Sequence, residues 1–162
     1  MYRGHTVGVV VPAYNEEGLV GDVIEGVPGF VDRIYAVDDA STDGTWAEIR
    51  RHAANVNDAA DGRRVVALQH GHNRGAGGAV KTGYRRALRD GVDVTVLVGG
   101  DGQTDLTVMD RLLDPIVEGR ADYTKGNRLL NRRDRGSMPQ FRFVGNAVLG
   151  GLTKIASGYW ET

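Results

Sequence analysis

Residues 7–17 read VGVVVPAYNEE. The first five form a β-branched run that ends at Pro12, which is typical of a strand buried on both faces of a parallel sheet. A polar loop follows, and apolar residues then recur at helical spacing from Leu19 to Val27. Asn15 is a candidate N-cap for this helix, with Glu16 and Glu17 in its first turn. The stretch therefore predicts the first strand–loop–helix unit of an α/β fold.

The same alternation continues along the chain. Further strands are predicted at 34–37, 65–68, 92–98 and 122–125, and further helices at 46–54, 79–88, 106–117 and 141–155. Strands that alternate with helices indicate a parallel sheet with right-handed crossovers and helices on both faces. In such sheets ligands bind beyond the carboxyl ends of the strands, so the loops after the first four strands are the candidate site.

Composition narrows the class of protein. The 162 residues are 41% hydrophobic and 25% charged, which is ordinary for one soluble globular domain. The formal net charge of −1 argues against a general nucleic-acid binder. Without cysteine there is no disulfide or thiolate metal site. No apolar run approaches the roughly 20 residues of a membrane span, and we expect a cytoplasmic location.

The loop after the second strand carries two adjacent acids, Asp38 and Asp39, in VDDASTDGT. One acid in this loop could cap the next helix, and Asp43–Gly44 is a turn signal. Two acids at a strand end exceed what a cap needs, and strand alternation directs one of them toward the crevice. A carboxylate there would accept a hydrogen bond from a base N–H or a ribose hydroxyl.

The loop after the third strand, HNRGAGGA at 72–79, resembles a phosphate-binding turn. Its glycines allow close backbone approach, and the start of the following helix attracts anions. It matches neither a Walker loop nor G-x-G-x-x-G. The flanking His70 and His72 are interpreted as structural or solvated residues.

The loop after the fourth strand contains GDGQTD at 100–105. Asp101 and Gln103 offer oxygen ligands two residues apart, which suits Mg²⁺ or Mn²⁺ bound together with substrate phosphates. The alternative interpretation is a simple Asp-Gly turn.

Four stretches in order carry a family resemblance: VVVPAYNEE, VDDASTDGT, NRGAGGAVKTGY and GDGQTD. Together they resemble family 2 glycosyltransferases of the GT-A fold, most closely the polyprenyl-phosphate (dolichol-phosphate mannose or glucose synthase-like) branch. The resemblance implies an α/β, Rossmann-like parallel sheet with a mixed edge and helices on both faces. The chain stops on the aromatic cluster of ASGYWET, so we expect one GT-A-type domain over 1–162 that is truncated at its C terminus. In it, 1–105 would bind the nucleotide sugar and 106–162 would begin the acceptor-binding part.

The resemblance also implies an activity and a site. The activity is inverting transfer of a hexose from a UDP- or GDP-sugar, with Mg²⁺ or Mn²⁺, to a polyprenyl phosphate at the cytoplasmic face of the membrane. Asp101 and Gln103 match the catalytic and metal-binding positions, and Asp39 would contact the base. The nucleotide and substrate positions are Pro12, Ala13, Tyr14, Asn15, Glu16, Asp39, Asn73, Gly75, Lys81, Asp101 and Arg128.

Two positions depart from the family pattern. Gly99 stands where the first acid of the D-x-D-like motif is frequent, which leaves one carboxylate fewer for the metal. Ala76 stands where a lysine is frequent in the glycine-rich loop. Five arginines between 128 and 142 suggest contact with a lipid phosphate or an anionic membrane surface, the alternative being a solvated loop. A phosphate acceptor is already ionised and needs no general base, and no obvious base stands out in the sequence.

Three other functions remain open at this point. A nucleotidyltransferase usually carries its glycine-rich signature in the first loop, and PAYNEE has no glycine. A nucleotide-binding module without turnover would fit Gly99 and Ala76. A family 2 transferase acting on a saccharide would need a carboxylate base from a further C-terminal part.

Overall fold

The computed structural model describes residues 1–59 and 64–126. Residues Met1–Thr124 make one compact unit. Its elements are β1 (Val7–Ala13), α1 (Val20–Gly26), β2 (Arg33–Asp38), α2 (Thr45–Ala59), β3 (Val65–Gln69), α3 (Gly75–Arg89), β4 (Val94–Leu97), a 3₁₀ turn (Leu106–Val108) and α4 (Met109–Val117). The predicted basic loop at 128–140 and the predicted helix at 141–155 lie outside the described residues.

The four strands form one sheet in the order β3-β2-β1-β4, and all three pairings are parallel. The chain first moves outward from β1 to β3, and then returns to place β4 on the other side of β1. This reversal opens a crevice beyond the carboxyl ends of β1 and β4, where doubly wound sheets bind their ligands. The predicted parallel sheet is confirmed, whereas the mixed edge stays a prediction, since every described pairing is parallel.

Helices cover both faces of the sheet, as predicted. Alternate residues of β1 from Val7 to Ala13 join the larger core with α1, α2 and α4. Val10 faces the other way and packs with Tyr35 and with Ala87 of α3. A Cβ atom at Gly83 would collide with the side chain of Val10, so glycine allows α3 to lie close against β1. Burial on both faces explains why β1 reads as a continuous apolar run.

The predicted capping role of Asn15 is wrong. Helix α1 begins at Val20, and no side chain at its N-cap residue bonds to the backbone. Instead Glu48 of α2 accepts hydrogen bonds from the N–H groups of Gly18 (2.6 Å) and Gly21 (3.1 Å). The cap thus comes from a residue distant in sequence, which local pattern does not reveal.

Two other predicted boundaries are corrected. The glycine-rich stretch predicted as a loop through Gly78 is helical from Gly75 onward. Residues 122–125, predicted as a fifth strand, pair with no strand among the residues that the structure describes, and the Thr124 hydroxyl donates to the Leu112 carbonyl, 2.8 Å away. This segment thus contacts α4 through that hydrogen bond.

Candidate functional site

The crevice at the carboxyl ends of the strands holds a cleft of about 350 Å³. Residues from the loops after all four strands line it: Pro12, Ala13, Tyr14, Glu16, Asp39, Asn73, Gly75, Ala76, Ala79, Gly99, Gly100 and Asp101. Of the predicted site residues, the cleft therefore gathers eight within its lining. Asn15 and Gln103 are exposed and lie outside that lining, as does Lys81 farther along α3. Arg128 lies outside the described residues.

A larger cleft of about 670 Å³ lies at the opposite, amino-terminal end of the strands. Two of its charged side chains serve the fold. Asp32 accepts hydrogen bonds from the Met1 amino group and the Val7 N–H, and Arg64 donates to the carbonyls of Val27, Pro28 and Val31. The cleft at the carboxyl ends of the strands is therefore the stronger candidate for a functional site.

Asp39 is a buried carboxylate in the wall of the cleft, with only 2% of its surface exposed. Its Oδ1 lies 2.6 Å from His70 Nδ1 and accepts a hydrogen bond from the Arg74 N–H at 2.9 Å. Burial alone would raise the pKa of Asp39, but the hydrogen bonds from His70 and Arg74 outweigh it and hold the pKa below its ordinary value. The side chain thus presents a fixed negative charge.

His70 is the buried partner of Asp39, a contact that the interpretation of this histidine as structural or solvated did not specify. It is 6% exposed, and its Nε2 lies 2.8 Å from Thr82 Oγ1 on α3. The interpretation of His72 as solvated agrees with its exposure. A signal for His70 did exist, because it follows β3 as Asp39 follows β2, and adjacent parallel strands bring such residues together.

The first two loops are fastened to each other along the rim of the cleft. Asn15 Oδ1 accepts from the Thr42 N–H at 2.9 Å, and the Glu16 N–H donates to Thr45 Oγ1 at 2.8 Å. Asp43 Oδ1 accepts from the Thr45 N–H at 3.0 Å, so an acid of this loop does cap α2 as the sequence indicated. These bonds explain why the loop is rich in Asp, Ser and Thr.

Glu16 and Asp101 place two carboxylates on one side of the cleft. Burial raises the pKa of Glu16, and the charges of Asp101 and Asp43 raise it further. Neither Glu16 nor Asp101 forms an ion pair within the described parts of the chain. Asp101 Oδ1 instead accepts from the Gln103 N–H at 3.1 Å across Gly102, whose φ is +67°. The uncompensated negative charge favours a bound cation.

The glycine-rich turn after β3 also lines the cleft. Asn73 Oδ1 accepts from the Gly75 N–H at 2.9 Å, and Gly75 has a φ of +76°, a conformation that favours glycine. Gly75 and Ala76 begin a 15-residue helix whose amino end faces the cleft. The N–H groups of Arg74 and Gly75 already donate to Asp39 and Asn73, so the Ala76 N–H and the helix dipole are what favour an anion there.

This geometry agrees with the comparison to known families. The model of glycosyl transferase family 2 matches residues 8–160. The chain belongs to glycosyl transferase family 2. The family resemblance read from the four loops is thereby confirmed.

Two curated members of the family illustrate the likeness. The UDP-N-acetylglucosamine–dolichyl-phosphate N-acetylglucosaminyltransferase of Methanococcus voltae is 32% identical over 95% of this chain, and the glycosyltransferase AglJ of Haloferax volcanii is 32% identical over 88%. The chain spans 64% of the first protein and 42% of the second.

Solved structures confirm the GT-A-type α/β fold. The structure of glucosyl-3-phosphoglycerate synthase from Mycobacterium tuberculosis in complex with Mg²⁺ and UDP has a TM-score of 0.51 and 23% identity. The match covers 70% of this chain and 40% of that one.

Two observations bear on a metal at this site. A Cβ atom at Gly99 would lie 2.9 Å from Asp101 Oδ1, closer than real contacts, so a side chain at position 99 would require the adjacent Asp101 carboxylate to shift. Within residues 1–59 and 64–126, no group of three acidic or histidine side chains is placed to hold a metal ion.

No helix in the described ranges combines the length and apolar character needed to cross a bilayer.

Proposed function

We propose that this chain binds a nucleotide-diphosphate sugar and transfers its hexose, with inversion, to a polyprenyl phosphate. The observation that carries the proposal is the single cleft in which buried Asp39, the Glu16–Asp101 acid pair and the amino end of α3 face one space. Asp39 suits the base or ribose of a bound nucleotide, and the amino end of α3 suits its diphosphate. The acid pair suits a cation bound beside that diphosphate.

The nucleoside would lie over the carboxyl ends of β1 and β2. Asp39, held ionised by His70 and Arg74, would accept a hydrogen bond from a base N–H or a ribose hydroxyl. Tyr14 is 45% exposed at the mouth of the cleft and offers an aromatic face for the base. A buried carboxylate with its geometry fixed rejects ligands that lack a matching donor.

The diphosphate would lie between α3 and the fourth loop. The N–H group of Ala76 and the amino end of the α3 dipole would meet phosphate oxygens, and Asp101 and Gln103 would hold Mg²⁺ or Mn²⁺. The donor chemistry fits, since Asp101 and Glu16 are oxygen ligands without a cationic partner among the described residues. When bound, the metal supplies charge stabilisation for the leaving diphosphate.

The chain's own residues support displacement at the anomeric carbon by orientation and electrostatics. Fixing the base at Asp39 and the diphosphate at α3 would hold the C1–oxygen bond in one direction, which raises the effective concentration of an acceptor on the opposite side. A phosphate acceptor attacks without losing a proton, so no general base is required. The dolichyl-phosphate relative in Methanococcus voltae supports this acceptor class.

A transfer assay tests the proposal. The chain is incubated with UDP-N-acetylglucosamine, UDP-glucose or GDP-mannose, dolichyl phosphate and Mn²⁺, and lipid-linked sugar is extracted and quantified. We expect one donor to yield a sugar–phosphate lipid, and Asp101→Asn to lower the yield at least about 100-fold. Asp105→Asn, an acid in the same loop that accepts from Thr107 instead, is the matched control and should stay within about 3-fold of the parent.

Release of nucleotide without a lipid-linked sugar would contradict a polyprenyl phosphate as the acceptor. If none of the three donors is consumed, the proposed transferase function is contradicted. Transfer to an added saccharide in place of the lipid would establish the saccharide-acceptor alternative.

A further inference from the structure

The outer side of α3 carries a concentration of positive charge. Its sequence, GAGGAVKTGYRRALR, contains four basic residues and no acidic one. The whole chain has a formal net charge of −1, so this charge is a local feature of the helix. Only the side of α3 that packs on the sheet is buried, through Ala79, Gly83 and Ala87.

Helical periodicity places the charges on the side that faces solvent. Lys81, Arg85 and Arg89 recur four residues apart, and all three are exposed. Arg86 pairs with Asp90 at 3.1 Å, but in the part of the chain that the structure describes Lys81, Arg85 and Arg89 form no ion pair. Within residues 1–59 and 64–126 the charge of these three side chains is thus not neutralised by an acid.

Two large apolar side chains lie among these cations. Leu88 is 78% exposed and Tyr84 is 39% exposed, on the same outward side of α3. Exposed leucine and tyrosine that are flanked by lysine and arginine are typical of helices that rest on a bilayer surface, where apolar groups enter the headgroup layer and cations meet phosphates.

We propose that the basic face of α3, defined by Lys81, Tyr84, Arg85, Leu88 and Arg89, binds the anionic headgroups of a lipid bilayer. The complementary charge points to an anionic surface, and the exposed Leu88 favours lipid over nucleic acid, for which the chain also lacks an overall basic excess.

Docking through this face would bring the cleft to the membrane. Gly75 and Ala76, which begin the same helix, line the cleft, and a 15-residue helix is only about 22 Å long. A lipid-linked phosphate in that bilayer would then lie within reach of the bound donor. This consequence rests on the proposed function, whereas the binding of α3 to lipid does not.

Vesicle co-sedimentation tests the inference. The full chain is mixed with vesicles of phosphatidylcholine alone or of phosphatidylcholine with phosphatidylglycerol, at low and high salt. We expect binding to the anionic vesicles only, and weaker binding as salt rises, because the attraction between exposed charges is screened.

Two double variants with the same change in net charge separate the α3 face from overall charge. Arg85→Glu with Arg89→Glu should lower the partition coefficient at least about 10-fold. The matched control, Arg50→Glu with Arg111→Glu, reverses two exposed arginines on α2 and α4, across the sheet, and should change it less than about 2-fold. Leu88→Ser keeps all charges and should still weaken binding several-fold.

The inference is overturned if the parent chain ignores anionic vesicles, or if both double variants lose binding equally. Retention of a single-stranded RNA instead of vesicles would assign the face to nucleic acid and overturn it as well. Calorimetric titration of the same proteins with nucleotide keeps the two proposals apart. Vesicle binding without nucleotide binding would refute the proposed function alone, and the reverse result would refute the lipid-binding face alone.

Discussion

His70 Nδ1 lies 2.6 Å from Asp39 Oδ1, and the two side chains are almost fully buried although they are 31 residues apart in sequence. Since the lowered pKa keeps Asp39 ionised, the carboxylate can only accept, and Nδ1 must carry the proton. The opposite ring nitrogen is directed at Thr82. His70 therefore acts as a positioning residue that holds a cleft-lining charge in one orientation.

Removing the imidazole should weaken nucleotide binding. We expect His70→Ala to lower affinity roughly 10-fold, because a charge-assisted hydrogen bond contributes about 1.5–3 kcal/mol and its loss leaves Asp39 Oδ1 held by the Arg74 N–H without the imidazole. His70→Asn, which retains a donor near the Nδ1 position, should recover most of the affinity. His72→Ala changes the exposed neighbour and serves as the control in the same calorimetric titration.

A double-mutant cycle separates positioning from simple destabilisation. If His70 acts through Asp39, adding His70→Ala to Asp39→Asn should cost little further affinity. Equal losses in both backgrounds would show that His70 affects the site by another route.

Stability should depend on pH through Asp39. The pKa of Asp39 in the folded chain lies below the unfolded value of about 3.9. As the pH falls, Asp39 is therefore protonated in the unfolded chain before it is protonated in the folded chain. The stabilisation is complete above about pH 5 and is lost as the pH falls through the unfolded and then the folded pKa. Urea unfolding of the parent and Asp39→Asn should therefore give free energies that converge from pH 6 toward pH 3, roughly. A gap that stays constant over this range would contradict the assignment.

Glu48 should matter for stability more than its position on α2 suggests. Glu48→Ala deprives the Gly18 and Gly21 N–H groups of their acceptor, and we expect the free energy of unfolding to fall by about 1–2 kcal/mol. Asp22→Ala removes an exposed acid from the first turn of α1 and should cost only about 0.5 kcal/mol, the size of a dipole interaction. Equal losses in thermal or urea unfolding would show that charge near the helix end, rather than the two hydrogen bonds, accounts for the effect.

An aspartate at position 99, where the family pattern often has an acid, should increase the effect of Mg²⁺ on nucleotide affinity. In Gly99→Asp the new carboxylate would lie beside Asp101, and we expect Mg²⁺ to increase UDP or GDP affinity roughly 5-fold more than in the parent. Gly99→Asn has nearly the same size without the charge and should show no such gain. If both variants respond to Mg²⁺ like the parent, Asp101 is not next to the metal.

The sequence predicted most of the sheet because burial on both faces leaves a plain signal. β1 and β2 are almost completely buried and read as apolar runs without polar alternation, whereas β3 is apolar but only partly buried. Each of the three strands is followed by a polar loop that contributes residues to the cleft. The sequence predicts that α3 begins after Gly78, because glycine disfavours helices, whereas the helix begins at Gly75. Packing of Ala79, Gly83 and Ala87 against the sheet outweighs that local preference.

The contacts that escaped prediction are those between distant segments. Asn15 resembles a helix cap in its local sequence, but its carboxamide binds Thr42, and Glu48 caps the helix instead. His70 had no local partner that would distinguish it from a solvated histidine. The parallel pairing of β2 with β3 brings His70 against Asp39, and this contact depends on the register of two strands that are distant in sequence.

We propose that the cleft at the carboxyl ends of the strands binds a nucleotide diphosphate together with a divalent cation. Calorimetric titration of this chain with UDP and GDP, each with and without Mn²⁺, measures it most directly. We predict that one nucleotide binds, that Mn²⁺ strengthens its binding at least about 10-fold, and that Asp101→Ala removes this gain. Failure of both nucleotides to bind, or a gain from Mn²⁺ that persists in Asp101→Ala, would contradict the claim.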